Sequence, residues 1–233
     1  MQFIKKPFFV LIVLAISAFG TTFPDSYYKI TSNSVMKTRF IAIMLPVIQK
    51  ENAKILKERE FLENTLNKNI FLINSTNIRQ LLAIKRKYKI ARVYDLHSYL
   101  KKVDIVPPSL ALAQASIESG WGKSRFVREA NNIFGQWTYS GVGIIPEERI
   151  EGATHRIRVF RDLEDSVANY MLNLNMGWAY NDFRRKRYEL RMSGKELDGY
   201  TLATTLLKYS STGQVYVDKV QSLINDNNLW KYD

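Results

Sequence analysis

The sequence contains no cysteine and only two histidines, His97 and His155, among its 233 residues. The lack of cysteine excludes disulfide bonds, thiolate nucleophiles, zinc ribbons and iron–sulfur clusters. Two separated histidines leave little for a histidine-based metal centre, so we expect neither a metal nor a cofactor. Any acid–base chemistry in this chain therefore falls to carboxylate side chains.

Glycine and proline are also scarce, with 11 and 6 residues, whereas 46% of the residues are apolar and 12% are aromatic. This composition excludes a collagen-like or broadly disordered chain and predicts one domain with an extension, or two small domains. The 34 lysines and arginines outnumber the 22 aspartates and glutamates, which gives a formal net charge of +12. Such a charge suits three polyanionic partners, namely nucleic acid, an anionic membrane surface and an acidic cell-wall polymer.

The first twenty residues have the features of a secretory signal peptide. Lys5 and Lys6 precede the apolar run Phe8–Phe19, and Ala18-Phe19-Gly20 offers small residues at the −3 and −1 positions of a cleavage site. The run is shorter than the roughly 20 residues needed to span a bilayer core, which favours cleaved export over a retained anchor. We therefore assign residues 1–20 to a signal peptide, with an uncleaved anchor or a buried helix as alternatives. Export to the periplasm, or elsewhere in a bacterial envelope, argues against nucleic acid as a partner.

The rest of the chain has a mainly helical pattern. Apolar residues recur at intervals of three, four and seven between Val35 and Leu66. Further helices are predicted at 77–88, 95–101, 109–119, 162–176, 183–192, 200–208 and 214–225. Polar and apolar residues alternate at His155–Phe160, which predicts one strand of a small hairpin. We expect a mainly α fold with a helical N-terminal extension at 21–104 and a second domain at 105–233.

Four residues are predicted to define the ends of two of these helices. Ser109 is expected to cap the alanine-rich helix 109–119, and Gly120 to stop it. Asp162 is expected to cap the later helix, and Gly177 to end it.

Glu118 occupies an unusual position for a structural acid, because it lies in the last turn of the 109–119 helix. The partial negative charge at a helix C-terminus disfavours a carboxylate anion. Trp121 and Phe134 are expected to add desolvation, which raises a carboxyl pKa in the same direction. A general acid that protonates a glycosidic oxygen needs such a raised pKa, as in the lysozyme example of a carboxyl against a tryptophan. The alternative is a solvated glutamate at a helix end.

The segment around Glu118 carries a specific motif, in which a helix ends in Ala-x-x-Glu-Ser-Gly-Trp-Gly-x-Ser and is followed by Asn-[apolar]-Phe-Gly. The matching residues are Ala115, Glu118, Ser119, Gly120, Trp121, Gly122, Ser124, Asn132, Ile133, Phe134 and Gly135. This segment resembles the glucosaminidase domains of glycoside hydrolase family 73.

A closer resemblance is to the Bax-type bacterial envelope proteins of that group. They share Phe-Gly-Gln-Trp, Gly-x-Gly-Ile-x-Pro and an Asp-Ser-Val helix, which stand here at 134–137, 141–146 and 165–167. The Phe23-Pro24-Asp25 sequence also resembles the start of that subgroup, so the likeness covers nearly the whole chain after residue 20.

The resemblance implies a lysozyme-like fold with a small β element, in which Glu118 is the catalytic acid. It also implies cleavage of β-1,4 bonds after N-acetylglucosamine in peptidoglycan. We therefore expect an endo-β-N-acetylglucosaminidase, a glycoside hydrolase whose partner is the glycan strand. One alternative is a lytic transglycosylase of the same fold, and another is a non-catalytic envelope scaffold that binds glycan.

A second carboxylate is expected on the hairpin, where family members place theirs. An inverting glycosidase needs a base roughly 6.5–9.5 Å from the acid, and a retaining one needs a nucleophile at roughly 5–5.5 Å. The hairpin supplies Glu147, Glu148 and Glu151, of which we favour Glu148, with Glu147 next. A substrate-assisted reaction, in which the acetamido group of the sugar is the nucleophile, needs no second carboxylate.

The resemblance also places a late tyrosine, Tyr209, in the cleft, where its hydroxyl holds a water or the acetamido group or its ring stacks on a sugar. Packing in the core is the alternative for Tyr209 and for Tyr216, the second tyrosine of that motif. The residues expected to bind substrate are Trp121, Asn132, Phe134, Gly135, Trp137 and Tyr216.

Two basic runs lie outside the motif, Arg184–Arg187 with Arg191 and Lys85–Lys87 with Lys89. For an exported hydrolase they are expected to attract peptide carboxylates, anionic glycans or a membrane surface. A solvated helix face is the alternative, and no aromatic-basic nucleic-acid module accompanies them.

Overall fold

The structure is a computed structural model that describes residues 21–67, 74–140, 142–146, 152 and 154–233. The predicted signal peptide at 1–20 lies outside the described residues. So do the three hairpin carboxylates Glu147, Glu148 and Glu151.

The described residues form ten α-helices and one two-stranded sheet, which confirms the mainly α fold class. The helices are α1 (Asp25–Tyr28), α2 (Asn33–Leu66), α3 (Ser75–Lys87), α4 (Leu96–Lys102), α5 (Pro108–Ser119), α6 (Arg125–Ala130), α7 (Leu163–Met176), α8 (Asn181–Met192), α9 (Gly199–Ala203) and α10 (Gln214–Asp226). Strands β1 (Trp137–Thr138) and β2 (Arg156–Ile157) pair antiparallel, with Trp137 opposite Ile157. Short 3₁₀ turns at Trp178–Tyr180 and Leu229–Tyr232 follow α7 and α10.

Helix α5 lies at the centre of the fold. Every side chain from Pro108 to Ser116 is buried, and the helix packs against α2, α9 and α10. Its alanines allow these helices to approach closely, because a small side chain occupies little space between two backbones. Glu118 lies beyond this buried stretch, at the edge of the core.

The predicted N-terminal extension packs on the rest of the chain through α2. Phe40, Met44 and Ile48 of α2 are fully buried and belong to the same hydrophobic cluster as α5 and α7. The extension therefore shares its core with the segment that carries Glu118. The boundary between residues 104 and 105 stays a prediction.

The start of α5 differs from the expectation. Pro107 and Pro108 begin the helix, which suits a proline at the first helical position, and Ser109 is not its cap. The carboxylate of Asp233 instead accepts hydrogen bonds from the Ser109 amide at 2.8 Å and the Ser109 hydroxyl at 2.5 Å. The helix ends as predicted, with Gly120 in the left-handed conformation.

The expectations for α7 are confirmed. The Asp162 carboxylate accepts a hydrogen bond from the Asp165 amide at 2.8 Å, and Gly177 ends the helix.

Helix α9 is shorter than the predicted helix 200–208, because it ends at Ala203. The next two residues are threonines whose hydroxyls donate back to the main chain, Thr204 to the Thr201 carbonyl and Thr205 to the Leu202 carbonyl. Such bonds compete with the helical ladder. The chain then turns toward Tyr209.

The prediction for the basic run of α8 is wrong for three of its five cations. Arg187 is fully buried and donates to the carbonyls of Asp104 and Ile105, and Arg184 is buried at the C-terminal end of α7. Arg191 donates twice to the Asp104 carboxylate, at 2.8 and 2.6 Å. These guanidinium groups hold the fold together and do not form a surface for anions.

As far as residues 21–233 are described, none of the helices combines the length and the apolar character that a bilayer crossing requires.

We predict that Asp104→Asn destabilises the fold by about 3 kcal/mol, because it removes one partner of a buried ionic network. Burial opposes ionisation of Asp104, yet the bond from Arg191 and the charges of Arg187 and Arg59 outweigh it and lower the pKa of this carboxyl. A lowered pKa stabilises the native state above the ordinary range of aspartate, and this contribution is lost as the pH falls through the native pKa. Urea denaturation at several pH values measures both effects.

The matched control is Asp182→Asn, because Asp182 pairs with Arg185 on the exposed side of α8, the helix that also carries Arg187 and Arg191. An exposed pair contributes at most about 1 kcal/mol. Equal losses in the two variants would contradict a structural role for Asp104.

Candidate active site

Glu118 is half-buried in the last turn of α5, where the chain makes a sharp turn. The Ser119 hydroxyl donates to the Ala115 carbonyl at 2.5 Å and accepts from the Gly122 amide at 2.7 Å. Gly122 has a positive φ, and a Cβ at this position would lie 2.9 Å from the ring of Phe23. Only glycine therefore fits at position 122 of the turn that follows Glu118.

A cleft of about 360 Å³ opens beside this carboxyl group. Its described lining consists of one carboxylate, two amides, three tyrosines and several small or aromatic residues. They are Glu118, Phe134, Gly135, Gln136, Trp137, Tyr170, Asn173, Tyr180, Tyr209 and Ser210. Among these residues Glu118 is the only charged group, so a neutral polar ligand suits the cleft better than a polyanion.

A chain of hydrogen bonds leads from the core to Glu118. The Tyr170 hydroxyl donates to Gln114 Oε1 at 2.6 Å, and Gln114 Nε2 donates to the Tyr216 hydroxyl at 3.0 Å. The Tyr216 hydroxyl in turn donates to Glu118 Oε1 at 2.8 Å. Because Gln114 is fully buried and bonded at both ends, it fixes Tyr216 as a donor toward the carboxyl group.

The sequence interpretation assigned neither Gln114 nor Tyr170 to the site. Gln114 precedes Glu118 by four residues, which places the two side chains on one face of α5. That spacing was the available signal for Gln114. The contact with Tyr170 is 56 residues away in the chain and left no local signal.

Burial raises the pKa of the Glu118 carboxyl, and the hydrogen bond from Tyr216 and the charge of Lys219 oppose part of this effect. The direction agrees with the expectation from the sequence. A carboxyl with a raised pKa keeps its proton closer to neutral pH, as a general acid requires.

The predicted aromatic residues Phe134 and Trp137 both line the cleft, but in different environments. The buried ring of Phe134 stacks on Tyr170 with centroids 3.8 Å apart and an angle of 3°. The ring of Trp137 is 57% exposed and stacks on His155 with centroids 4.4 Å apart. Phe134 thus forms part of the wall, whereas Trp137 presents a surface to a ligand.

Asn132 lies beneath the cleft and is buried. Its side chain donates to the carbonyls of Gln136 and Arg158, both at 2.8 Å, and accepts from the Gln136 amide at 2.9 Å. These bonds join the loop that contains Gly135 to the strand side of the hairpin. Asn132 therefore shapes the wall of the cleft.

Trp121 is not part of the described lining of the cleft, although the sequence interpretation placed it there. Its ring packs edge-on against Phe40 and beneath the ammonium group of Lys37, both in α2. The Trp121 carbonyl also accepts a hydrogen bond from the Tyr27 hydroxyl at 2.5 Å. In the structure this side chain contacts the extension.

Tyr209 and Tyr216 lie together, with rings stacked at a centroid distance of 5.2 Å. Tyr209 lines the cleft, whereas Tyr216 is not part of the described lining and donates its hydroxyl to Glu118. The hairpin residues Glu147, Glu148 and Glu151 lie outside the described residues. Within the part of the chain that is described, no group of three or more His, Asp or Glu side chains is placed to hold a metal ion.

Comparisons with known proteins identify the family of this chain. The sequence profile of the glucosaminidase family, described as mannosyl-glycoprotein endo-beta-N-acetylglucosaminidase, matches residues 95–229. Protein bax of Escherichia coli is 29% identical over 216 residues, which cover 91% of this chain and 76% of that protein.

Two further similarities are more partial. Exo-glucosaminidase LytG of Bacillus subtilis is 31% identical over 137 residues, or 55% of this chain and 46% of LytG. The catalytic domain of the autolysin Auto from Listeria monocytogenes aligns with 74% of this chain and 88% of that domain, with 19% identity and a TM-score of 0.42.

We predict that Tyr216→Phe raises the pKa of Glu118 further, because it removes a hydrogen bond that stabilises the carboxylate. A hydrogen bond to a charged group of typical strength corresponds to a rise of about one pH unit in the titration midpoint. Carbon NMR of the labelled Glu118 carboxyl group measures the midpoint.

The matched control is Tyr99→Phe in α4, because Tyr99 is also buried and its hydroxyl has no hydrogen-bond partner in the described structure. This control is expected to leave the midpoint unchanged. An unchanged midpoint in Tyr216→Phe would show that Tyr216 does not tune the acid.

Proposed function

Because this chain belongs to the glucosaminidase family, which matches residues 95–229, we propose that it is a peptidoglycan hydrolase. The proposed reaction is endo-cleavage of β-1,4 bonds after N-acetylglucosamine, with Glu118 as the general acid. The observation that carries this proposal is a half-buried carboxyl group with a raised pKa, which faces a cleft lined by rings and amides.

The hydrogen-bond chain supports a defined position for the acid proton. Glu118 Oε1 accepts from Tyr216, and Gln114 keeps the Tyr216 hydroxyl in the donor orientation. The proton of the neutral acid is therefore expected on the other oxygen, Oε2. In the proposed reaction Oε2 gives this proton to the glycosidic oxygen as the bond to the anomeric carbon breaks.

The other half of the reaction needs a nucleophile at the anomeric carbon. We propose Glu148, either as a base that takes a proton from the attacking water or as a nucleophile that water later displaces. In both routes water supplies the new hydroxyl group on the sugar and a proton returns to the enzyme. The acetamido group of the substrate is the alternative nucleophile. We propose that Tyr209, which lines the cleft, holds this group or the water.

Trp137 is proposed to stack on a sugar ring, since its ring is largely exposed at the cleft. Phe134 and Gly135 are proposed to shape the wall on the same side. We further propose that the protein acts in the bacterial envelope after export, because its substrate is the wall polymer.

We predict that Glu118→Gln lowers cleavage of purified peptidoglycan at least about 100-fold, because the amide has no acid proton to donate. The matched control is Glu129→Gln on α6, an exposed glutamate outside the described cleft lining, which is expected to retain activity. Mass spectrometry of the reduced products identifies the new ends.

N-acetylglucosamine at the new reducing ends supports the proposal. Anhydromuramic ends indicate a lytic transglycosylase, and muramic ends a different bond specificity. Release of single sugars rather than internal fragments would show that the enzyme cleaves from the strand end and not within the strand. Unchanged activity in Glu118→Gln would contradict the assigned acid.

We predict that Glu148→Gln lowers the same activity by about 100-fold or more if Glu148 is the base or nucleophile. Glu147→Gln is the matched neighbour and is expected to lose much less. A large loss only in Glu147→Gln reassigns the role within the hairpin. Retention of activity in both variants favours the substrate-assisted route.

A further inference from the structure

Trp178 is the most exposed large apolar side chain of the described residues, with 81% of its surface accessible. It lies in the 3₁₀ turn between α7 and α8. Exposed tryptophan leaves a large apolar area in water, and such a ring beside a cleft is typical of a binding surface.

The backbone that carries Trp178 is firmly held. Arg184 is buried and donates to the carbonyls of Leu174 at 2.9 Å and Gly177 at 2.7 Å. The Gly177 amide donates to the Asn173 carbonyl at 2.7 Å. The exposed ring therefore projects from a well-anchored turn, so little backbone freedom is lost when a ligand binds.

The turn is also sterically constrained at the residue before Trp178. A Cβ at Gly177 would lie 2.7 Å from the Asn173 carbonyl oxygen and 3.1 Å from the Tyr180 ring. Only glycine permits this close passage of the chain along the end of α7. The position of Trp178 thus follows from local packing.

The turn borders the cleft of Glu118. Asn173 and Tyr180, which lie on either side of Trp178 in the chain, both line that cleft. Trp137 lies on the β1 side of the same cleft. The cleft therefore has an exposed tryptophan near each of two sides, Trp137 at the hairpin and Trp178 at the end of α7.

We propose that Trp178 is a second sugar-stacking site, which binds a neutral pyranose ring of the glycan strand beyond the two sugars at the scissile bond. The proposal rests on the proposed function and extends it. The cleft that this turn borders favours such a ligand, since Glu118 is the only charged side chain in its described lining and the other lining residues are mainly rings and amides. A site for a distant sugar also fits cleavage inside a strand rather than at its end.

The test compares kcat/KM on long glycan strands with kcat/KM on the shortest oligosaccharide that the enzyme cleaves. Trp178→Ala is expected to lower the ratio of the two values about five- to tenfold, as the loss of one stacking contact predicts. The loss is expected in KM, since the ring does not touch the reacting atoms. Thermal denaturation checks that this exposed substitution leaves the fold intact.

The matched control is Trp230→Ala. Trp230 is 58% exposed and lies in the turn after α10, which packs near the opposite end of α5 from Glu118. It is expected to leave the ratio unchanged. A ratio in Trp178→Ala equal to that of the wild type would overturn the proposal.

A binding measurement separates this proposal from the proposed function. Glu118→Gln and Glu118→Gln with Trp178→Ala are titrated with long glycan strands, and the tryptophan fluorescence is recorded. Weaker binding only in the double variant supports the sugar site even if the wild-type protein cleaves nothing. Equal binding of glycan by the two variants overturns it. The proposal is also overturned if the only effect of Trp178→Ala is weaker binding to vesicles of phosphatidylethanolamine and phosphatidylglycerol.

Discussion

The burial of α5 from Pro108 to Ser116 is the constraint on which the geometry of the candidate active site depends. A helix surrounded by other helices must satisfy each polar side chain it carries, because an unpaired buried polar group costs about 1–3 kcal/mol. Gln114 meets this requirement by bonding to Tyr170 and Tyr216. The same two bonds orient the Tyr216 hydroxyl, which donates to Glu118. The packing of the core therefore also influences the pKa of Glu118.

The sequence predicted those features that depend on local pattern. The motif located Glu118, Gly120 located the C-terminal end of α5, and Asp162 and Gly177 located the two ends of α7, because helix ends are encoded by neighbouring residues. The Gln114–Tyr216 chain was not predicted, since its partners lie 102 residues apart. Trp121, three positions after Glu118, was expected to bind substrate, but its left-handed backbone directs its ring to Phe40 of α2 and it is not part of the described cleft lining.

The basic composition proved a poor guide to the surface. Three cations of the α8 run are enclosed or paired, and Arg187, Arg191 and Arg59 surround Asp104. Arginine suits this use because its planar group donates to several carbonyls at once. A charge count therefore overstates the positive charge exposed along α8, and the described cleft lining, with one carboxylate and no cation, suits neutral groups.

The extension supports the active site through the loop that follows Glu118. Trp121 adopts a positive φ, which costs roughly 1–2 kcal/mol for a residue with a side chain. Its packing on Phe40 and the three bonds from Lys123 to carbonyls of Tyr27, Tyr28 and Ile30 offset that cost. Helix α2 lies outside the range matched by the family, yet its side chains belong to the same core cluster. The unit that positions Glu118 in this chain is thus larger than the segment matched by the family, since part of the support for the turn after Glu118 comes from residues before that segment.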